Sequence, residues 1–118
     1  MKNNKHWRYM LANRKPTIQE TKLIELLIAK ASLDIPAGWK DDLLVRPMND
    51  SGIGSIYLYP NGEVNKQKEF GKEASDLQFK DKDGIDVIVT LNLDENGKLF
   101  ELDIWKTNFS DIIKLPDL

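Results

Sequence analysis

The stretch that decides the fold is residues 86–106, DVIVTLNLDENGKLFELDIWK, in which apolar residues alternate on both sides of Asn96-Gly97. Asn-Gly is typical of a two-residue type I′ hairpin turn, because both central positions of that turn need positive φ. Such a turn pairs Leu93 with Phe100 and brings the apolar residues of the two strands onto one face. The stretch therefore predicts a β-hairpin with one face in the core.

The opposite face of this hairpin is polar and acidic. The same register pairs Asn92 with Glu101, Thr90 with Asp103, and Ile88 with Trp105. Two carboxylates beside a tryptophan are typical either of a solvated sheet face or of a protein-binding face, and acid–base catalysis by the carboxylate pair is a weaker alternative. We therefore take Glu101, Asp103 and Trp105 as candidate partner-binding residues.

A third strand precedes the hairpin. Phe79 and Val87 share the core face only if the connecting loop has three residues, which predicts the loop Lys82-Asp83-Gly84 with Gly84 in the left-handed conformation. The C-terminal half is thus predicted to be a meander of strands 74–81, 85–95 and 98–106. Asp76 and Asp86 join the polar face as candidate partner-binding residues.

The helix signal lies earlier in the chain. Thr17 and Glu20 have the spacing of a capping box, and the apolar residues that follow recur at helical spacing. The helix is predicted to end at Ser32 or Leu33, because Pro36 cannot lie inside it.

Two short strands are predicted between the helix and the meander. They cover residues 43–46 and 55–59, and Pro47 places the first at a sheet edge or at a strand end. In the second strand, Tyr57 and Tyr59 point away from the apolar side and are candidate anchors for a partner. Residues 64–71 have no clear pattern. The predicted fold class is α+β, with one main N-terminal helix packed on an antiparallel sheet of four to five strands.

Composition narrows the class of protein further. The chain has 118 residues, which fits one domain, and it has no cysteine, which excludes disulfides and thiolate chemistry. No apolar run is long enough to span a bilayer and no signal peptide is predicted, so we expect a cytoplasmic protein without a membrane partner.

The charges are unevenly distributed along the chain. Residues 1–40 hold eight Lys and Arg against three Asp and Glu, whereas residues 41–118 hold nine against sixteen. We predict a basic, partly ordered arm over residues 1–15 and a single domain over residues 16–118.

No catalytic or metal-binding pattern emerges from the residues. His6 is the only histidine and has no carboxylate near it in the sequence. Asp81, Asp83 and Asp86 lack the spacing of a calcium loop, since Asn92 occupies the twelfth position from Asp81. We predict no catalytic residue, no metal and no cofactor.

Three segments resemble a small, uncharacterised bacterial family. They are Val45-Arg46-Pro47-Met48 with Gly52-Ile53-Gly54-Ser55, residues 89–94 with Gly97, and residues 99–106 with Phe109-Ser110. The last has the most specific core, E-L-D-x-W-K, and the likeness extends from about Arg14 onward. The family brings no known activity and no site residues. Its members look like the small acidic proteins encoded beside bacterial toxins, including immunity proteins of contact-dependent systems. This likeness is an analogy of size and general character, not a match of motifs.

The residues and the resemblance together predict a non-enzymatic binding protein, an immunity protein that occludes a basic cognate toxin. Its candidate contacts are Asp76, Asp86, Glu101, Asp103, Trp105, Tyr57 and Tyr59. Two alternatives stay open: a small-molecule-binding or weakly enzymatic domain with a pocket between helix and sheet, and a nucleic-acid accessory protein that uses the basic arm. The sequence does not predict the oligomeric state.

Overall fold

A computed structural model describes residues 12–49 and 53–118, and over these residues it shows one α-helix packed against an open, five-stranded antiparallel sheet. The elements are α1 (Ile18–Lys30), β1 (Leu44–Pro47), β2 (Ile56–Tyr59), a 3-10 helix (Pro60–Gly62), β3 (Phe70–Lys80), β4 (Asp86–Asp94) and β5 (Leu99–Lys106). The strand order is β1-β2-β5-β4-β3. The predicted α+β class is confirmed. Across the described ranges, no helix is both long enough and apolar enough to cross a membrane.

The capping box predicted for α1 is present. The Thr17 hydroxyl accepts a hydrogen bond from the Glu20 N–H at 3.1 Å, and the Glu20 carboxylate accepts one from the Thr17 N–H at 2.8 Å. The helix ends slightly before the predicted position, because Ser32 adopts φ of 51° and the Leu33 N–H turns back to the Ile28 carbonyl at 3.1 Å. This left-handed residue with a bond back across the last turn is a common way for a helix to end.

Arg14 connects the start of the described chain to both layers. Its backbone exchanges two hydrogen bonds with Val45 of β1, at 2.8 and 2.7 Å. Its guanidinium forms two parallel bonds to the Glu20 carboxylate, at 2.8 and 3.0 Å. Arg14, which the sequence placed in the basic arm, is therefore part of the packed fold. The remainder of that predicted arm, through residue 11, lies outside the described residues.

The β3–β4 hairpin has the predicted register and loop. Phe79 lies opposite Val87, and Gly84 adopts φ of 82° in a three-residue loop. The predicted strand 74–81 starts too late, because β3 begins at Phe70 and reaches its full length through two β-bulges. At the first bulge a Cβ on Gly71 would lie 2.2 Å from the Asp94 carbonyl oxygen. The close approach of the two backbones at this point therefore requires glycine.

The predicted type I′ turn in the β4–β5 hairpin is wrong. Gly97 alone in this turn has positive φ, at 77°, and its N–H bonds to the Asp94 carbonyl at 3.0 Å. The Asp94 N–H bonds to the Lys98 carbonyl at 2.8 Å, so the loop has three residues. A bulge in β5 absorbs the extra residue: Leu93 faces Leu99, and Phe100 has no partner on β4.

Beyond this bulge the predicted register of β4 and β5 is confirmed. It pairs Asn92 with Glu101, Leu91 with Leu102, Thr90 with Asp103, Val89 with Ile104, and Ile88 with Trp105. The cause of the wrong turn is the Asp94 side chain, whose carboxylate accepts N–H groups from Asn96 and Lys98 at 2.8 and 3.0 Å. Aspartate that bonds to its own turn in this way stabilises a type I turn followed by a left-handed glycine.

The core lies between α1 and one face of the sheet. Leu23, Ile24 and Leu27 of the helix are fully buried against the apolar residues of β1, β2, β4 and β5. Trp39 from the loop after α1 and Ile112 from the C-terminal tail pack against the margins of this core. The alternation of the strands therefore points their other side chains to the opposite side of the sheet, which we call the outer face.

Candidate partner-binding face

Side chains of all five strands form rows across the outer face. One row runs Arg46, Tyr57, Glu101, Asn92 and Glu73, each residue paired with the next across neighbouring strands. A second row contains Asp103, Thr90 and Asp76, and a third contains Trp105, Ile88 and Gln78. The register thus places five of the seven predicted contact residues in these rows. A sixth, Asp86, lies on the same face of β4, two positions before Ile88 of the third row. The pairing of Tyr59 with Leu44 places it at the β1 end of the same face.

The two carboxylates at the centre of the outer face are positioned by polar neighbours. One oxygen of Glu101 accepts the Asn92 side-chain amide at 3.3 Å. One oxygen of Asp103 accepts the Ser55 hydroxyl at 2.8 Å, and that hydroxyl in turn accepts the Ile104 N–H at 2.8 Å. Each carboxylate keeps its second oxygen without a hydrogen bond among the described residues. Both are thus oriented, half-buried acceptors with capacity for a donor from outside.

The two outer carboxylates differ from each other. Asp76 is exposed, and among the described residues only its backbone carbonyl is engaged, by the Lys30 ammonium. Asp86 accepts a hydrogen bond from the Lys80 ammonium at 2.9 Å, and this bond holds the pKa of Asp86 below its usual range although partial burial acts to raise it. Asp86 is therefore already matched by a cation of its own chain, whereas Asp76 is not.

The tyrosines of β2 also have a partner within the chain. The Arg46 guanidinium lies 5.3 Å from the centre of the Tyr57 ring and 5.8 Å from that of Tyr59. Such cation–π contacts hold the rings and place a positive charge at the β1 end of the outer face. The sequence interpretation missed Arg46, although strand alternation with buried Val45 points its side chain outward.

An aromatic pair borders the outer face at the C-terminal end of β5, the central strand of the sheet. The rings of Trp105 and Phe109 stack with centroids 5.8 Å apart and an angle of 20° between planes. Trp105 is 40% exposed and Phe109 is 86% exposed. The sequence predicted Trp105 as a contact and did not predict Phe109 as one. No periodic signal marks Phe109, because it follows the last strand and lies in irregular chain.

The aspartates near the β3–β4 loop, considered above as calcium ligands, bind a lysine instead. The Lys106 ammonium lies 3.0 Å from the Asp81 carboxylate and 2.7 Å from that of Asp83. Burial alone raises the pKa of Asp81, but hydrogen bonds from the Ile113 N–H, from Lys106 and from further backbone N–H groups outweigh it and hold the pKa far below the usual range. Over the part of the chain that the structure describes, no three residues of metal-ligand type come together.

The central carboxylates do not line the surface hollows described here, although one hollow of about 200 Å³ includes Ser55 and Trp105 beside Asp103. The largest described here, about 360 Å³, is bordered by Arg14, Glu20 and Leu115 at the start of α1. Another, about 240 Å³, is lined by the apolar side chains of Ile35, Trp39 and Leu99 together with Lys98 and others. Neither Glu101, Asp103 nor Tyr57 lines these hollows. The convergence of a deep pocket with these residues, which would favour the enzymatic alternative, is not seen in the described ranges.

The fold and this face define a small α+β domain with a polar, aromatic-edged outer sheet surface. A family model described as "Domain of unknown function (DUF6984)" matches residues 13–116, and the chain belongs to that family. No curated protein and no solved structure matches the chain. The likeness to immunity proteins therefore stays a prediction.

Proposed function

We propose that this chain is a non-enzymatic protein-binding domain whose outer face docks a basic partner. The observation that carries the proposal is the pair Glu101 and Asp103, oriented by Asn92 and Ser55, each with one carboxylate oxygen that accepts no hydrogen bond from the residues that the structure describes. Oriented acceptors at the centre of a sheet face are suited to charge-assisted hydrogen bonds from Arg or Lys.

The more specific proposal is an immunity protein that acts in the cytoplasm and occludes a cognate toxin. Toxins that act on nucleic acid need positive charge to bind phosphates, and an acidic surface accelerates association with such a protein and rejects acidic partners. The charge of residues 41–118, nine basic against sixteen acidic, supports this complementarity. The hollows supply no competing argument for catalysis, because the central carboxylates do not line them.

The test takes the product of the neighbouring gene as the candidate toxin, with growth rescue on co-expression and calorimetry on the purified pair. We expect Glu101→Lys with Asp103→Lys to abolish rescue and to weaken binding on the order of 100-fold, because like charges brought together across an interface cost several kcal/mol.

The matched control reverses two exposed carboxylates of the loop before β1, Asp41→Lys with Asp42→Lys, and should retain rescue. Circular dichroism checks that both double variants fold. Full rescue by the Glu101 and Asp103 variant would remove the outer face from the interface, and the absence of any binding by the folded wild-type chain would remove the immunity role.

A further inference from the structure

We propose that Trp105 and Phe109 form an aromatic anchor that recognises an arginine side chain of the basic protein partner. This inference rests on the proposed function and assigns the chemistry of its central contact. It also adds Phe109, from outside the sheet, to the docking surface.

The first support is the exposure and packing of the two rings. Phe109 leaves 86% of its surface exposed, and its ring stacks on that of Trp105 with centroids 5.8 Å apart. Large, pre-oriented aromatic rings lose little conformational freedom on binding and are enriched among the residues that dominate interface energies. The stack therefore presents apolar area in a fixed geometry beside the acidic rows.

The second support is the backbone of Phe109. Its φ of 62° lies in the left-handed region, which a bulky residue seldom adopts. The conformation is held by a hydrogen bond from the Phe109 N–H to the Lys106 carbonyl at 2.8 Å, and the Ser110 N–H next to it bonds to the Asn108 side chain at 3.1 Å. Glycine would fit this position with less strain. Strain that keeps a phenylalanine ring at the surface is typical of a functional site.

The third support is the neighbouring charge. Asp103 lies two positions before Trp105 on the same face of β5, and one of its oxygens accepts no hydrogen bond within residues 12–49 and 53–118. A planar guanidinium stacks on an aromatic ring and donates to a carboxylate at the same time, whereas an ammonium is compact and more strongly hydrated. Carboxylates at this place repel phosphates, so the observations favour arginine on a protein over a nucleic acid.

The experiment titrates the full chain with a soluble arginine–glycine peptide at low salt, and it compares peptides in which lysine or neutral citrulline replaces arginine. Heteronuclear NMR follows the indole N–H signals, and Trp105→Leu identifies the signal of Trp105. We expect the arginine peptide alone to shift that signal strongly. Phe109→Ala and Asp103→Asn should each weaken its binding at least threefold, by the loss of a cation–π contact or of a charged hydrogen bond.

Phe70→Ala is the matched control, because Phe70 is another exposed phenylalanine, at 58%, on β3 away from the stack. It should leave the peptide affinity unchanged. Phe109→Gly supplies a readout that a structural role would not give: relief of the left-handed strain should raise the melting temperature while the affinity for the arginine peptide falls.

The outcomes separate this inference from the proposed function. Equal binding of the lysine peptide, no binding of the arginine peptide, or unchanged affinity in Phe109→Ala would each overturn the arginine anchor. Loss of toxin rescue in the Glu101 and Asp103 variant would still support the docking face in that event. Binding of a single-stranded oligonucleotide that depends on Phe109 would overturn the inference in favour of base stacking.

Discussion

The two turns of the meander have the same backbone design but are held in place by different interactions. Each begins with a buried aspartate, Asp81 or Asp94, and continues through a three-residue loop that ends in a left-handed glycine. In each the aspartate side chain accepts backbone N–H groups of its own loop. What differs is the buried lysine that accompanies each aspartate.

At the Asp81 turn, the Lys106 side chain is 1% exposed and contacts two carboxylates, within 2.7 and 3.0 Å. Burial lowers the pKa of Lys106, but the hydrogen bonds from its ammonium to Asp83 and Asp81 outweigh burial and raise it. Asp81 also accepts the N–H groups of Ile113 and Lys114, so this cluster holds the C-terminal tail against the sheet.

At the Asp94 turn, the Lys68 side chain is 9% exposed and its ammonium lies 3.8 Å from the Asp94 carboxylate. Its ammonium donates instead to the carbonyls of Leu58 and Leu99, at 3.1 and 2.7 Å, where β2 and β5 separate. Burial is the dominant effect and lowers the pKa of Lys68, against the attraction of Asp94. The comparison shows that two close carboxylates outweigh burial and raise the pKa of Lys106, whereas a carboxylate at 3.8 Å does not outweigh the burial of Lys68.

The largest expected loss of stability follows from removing the positive charge of Lys106 at the Asp81 turn. Lys106→Met leaves a buried carboxylate without its cation, which is among the most destabilising changes a fold can receive. We expect the melting temperature to fall by about 10 °C or more. Hydrogen exchange of the Ile113 and Lys114 amides should accelerate, since Asp81 no longer holds the tail rigidly.

Lys114→Met is the matched control for this change. The Lys114 side chain is 60% exposed, and its ammonium pairs with the exposed Asp117 at 3.2 Å. Its loss should leave the melting temperature nearly unchanged, because exposed ion pairs contribute little. Equal melting temperatures of the Lys106→Met chain and the wild type would contradict the role given to the Asp81 cluster.

The second-largest effect is expected for Gly71→Ala, which tests whether close packing against β3 holds the Asp94 turn in place. There the start of β3 lies directly against the turn: the Glu95 N–H bonds to the Glu69 carbonyl at 3.0 Å, and Gly71 approaches the Asp94 backbone. Gly71→Ala places a methyl group 2.2 Å from the Asp94 carbonyl oxygen. We expect a loss of about 3 kcal/mol in urea unfolding, since backbone must move to relieve the overlap.

Gly54→Ala is the control for Gly71→Ala, because a Cβ there meets nothing within 4 Å among the contacts described. A loss below about 0.5 kcal/mol is expected for it, as for most substitutions away from packed features. A similarly small loss for Gly71→Ala would show that the bulge yields easily and that the Asp94 turn is not held by close packing.

The same two turns show how far the sequence predicts the fold. The loop Lys82–Gly84 was predicted correctly because Phe79 and Val87 must lie on the same face. Side chains alternate along a strand, so a loop with one residue more or fewer would put one of them on the wrong face. At the second turn the Asn-Gly dipeptide favoured a two-residue loop, but the Asp94 carboxylate stabilises a longer one. The extra residue then needed the bulge at Phe100, and no periodicity in the sequence marks a bulge.

The residues of the candidate site also fall into those that the sequence predicted and those that it missed. Alternation along β4 and β5 predicted which carboxylates share the outer face, and their register is confirmed. Phe109 was missed because its exposure depends on one left-handed backbone angle in irregular chain. The burial of Lys68 and Lys106 was missed because a lysine becomes desolvated only through partners distant in sequence, which local composition does not reveal.

A smaller effect is expected from the lysine at the Asp94 turn. Lys68→Met leaves the Leu58 and Leu99 carbonyls without a donor, which should cost on the order of 1–2 kcal/mol at neutral pH. Lys66→Met, at an exposed neighbouring position, is the control and should be nearly neutral.

The pH dependence of the Lys68 variant gives a sharper test. Because the pKa of Lys68 is lowered in the folded state, the wild type releases this proton on folding between that pKa and the unfolded value of about 10.4. Stability from this group therefore rises with pH across that window. We expect the advantage of the wild type over Lys68→Met to increase as the pH approaches 10.4. An advantage that shrinks over this window would reverse the assigned direction of the pKa.

The smallest effect concerns the second carboxylate of Lys106. Because the pKa of Lys106 is raised in the folded state, its contribution is complete below the unfolded value of about 10.4 and is lost as the pH rises through the folded value. Asp83→Asn removes one of the two carboxylates that raise this pKa, so the alkaline loss of stability should be smaller and should be complete at a lower pH than in the wild type. At neutral pH the melting temperature should fall by about 3 °C or less, since the Asp83 side chain is 39% exposed.

Urea unfolding across the alkaline range measures this change in the pH dependence of stability. Asp117→Asn is the control for the general titration of lysines and tyrosines. An alkaline limb that coincides for Asp83→Asn and the wild type would show that Asp81 alone stabilises the charge of Lys106, and that the number of carboxylates does not distinguish the two turns.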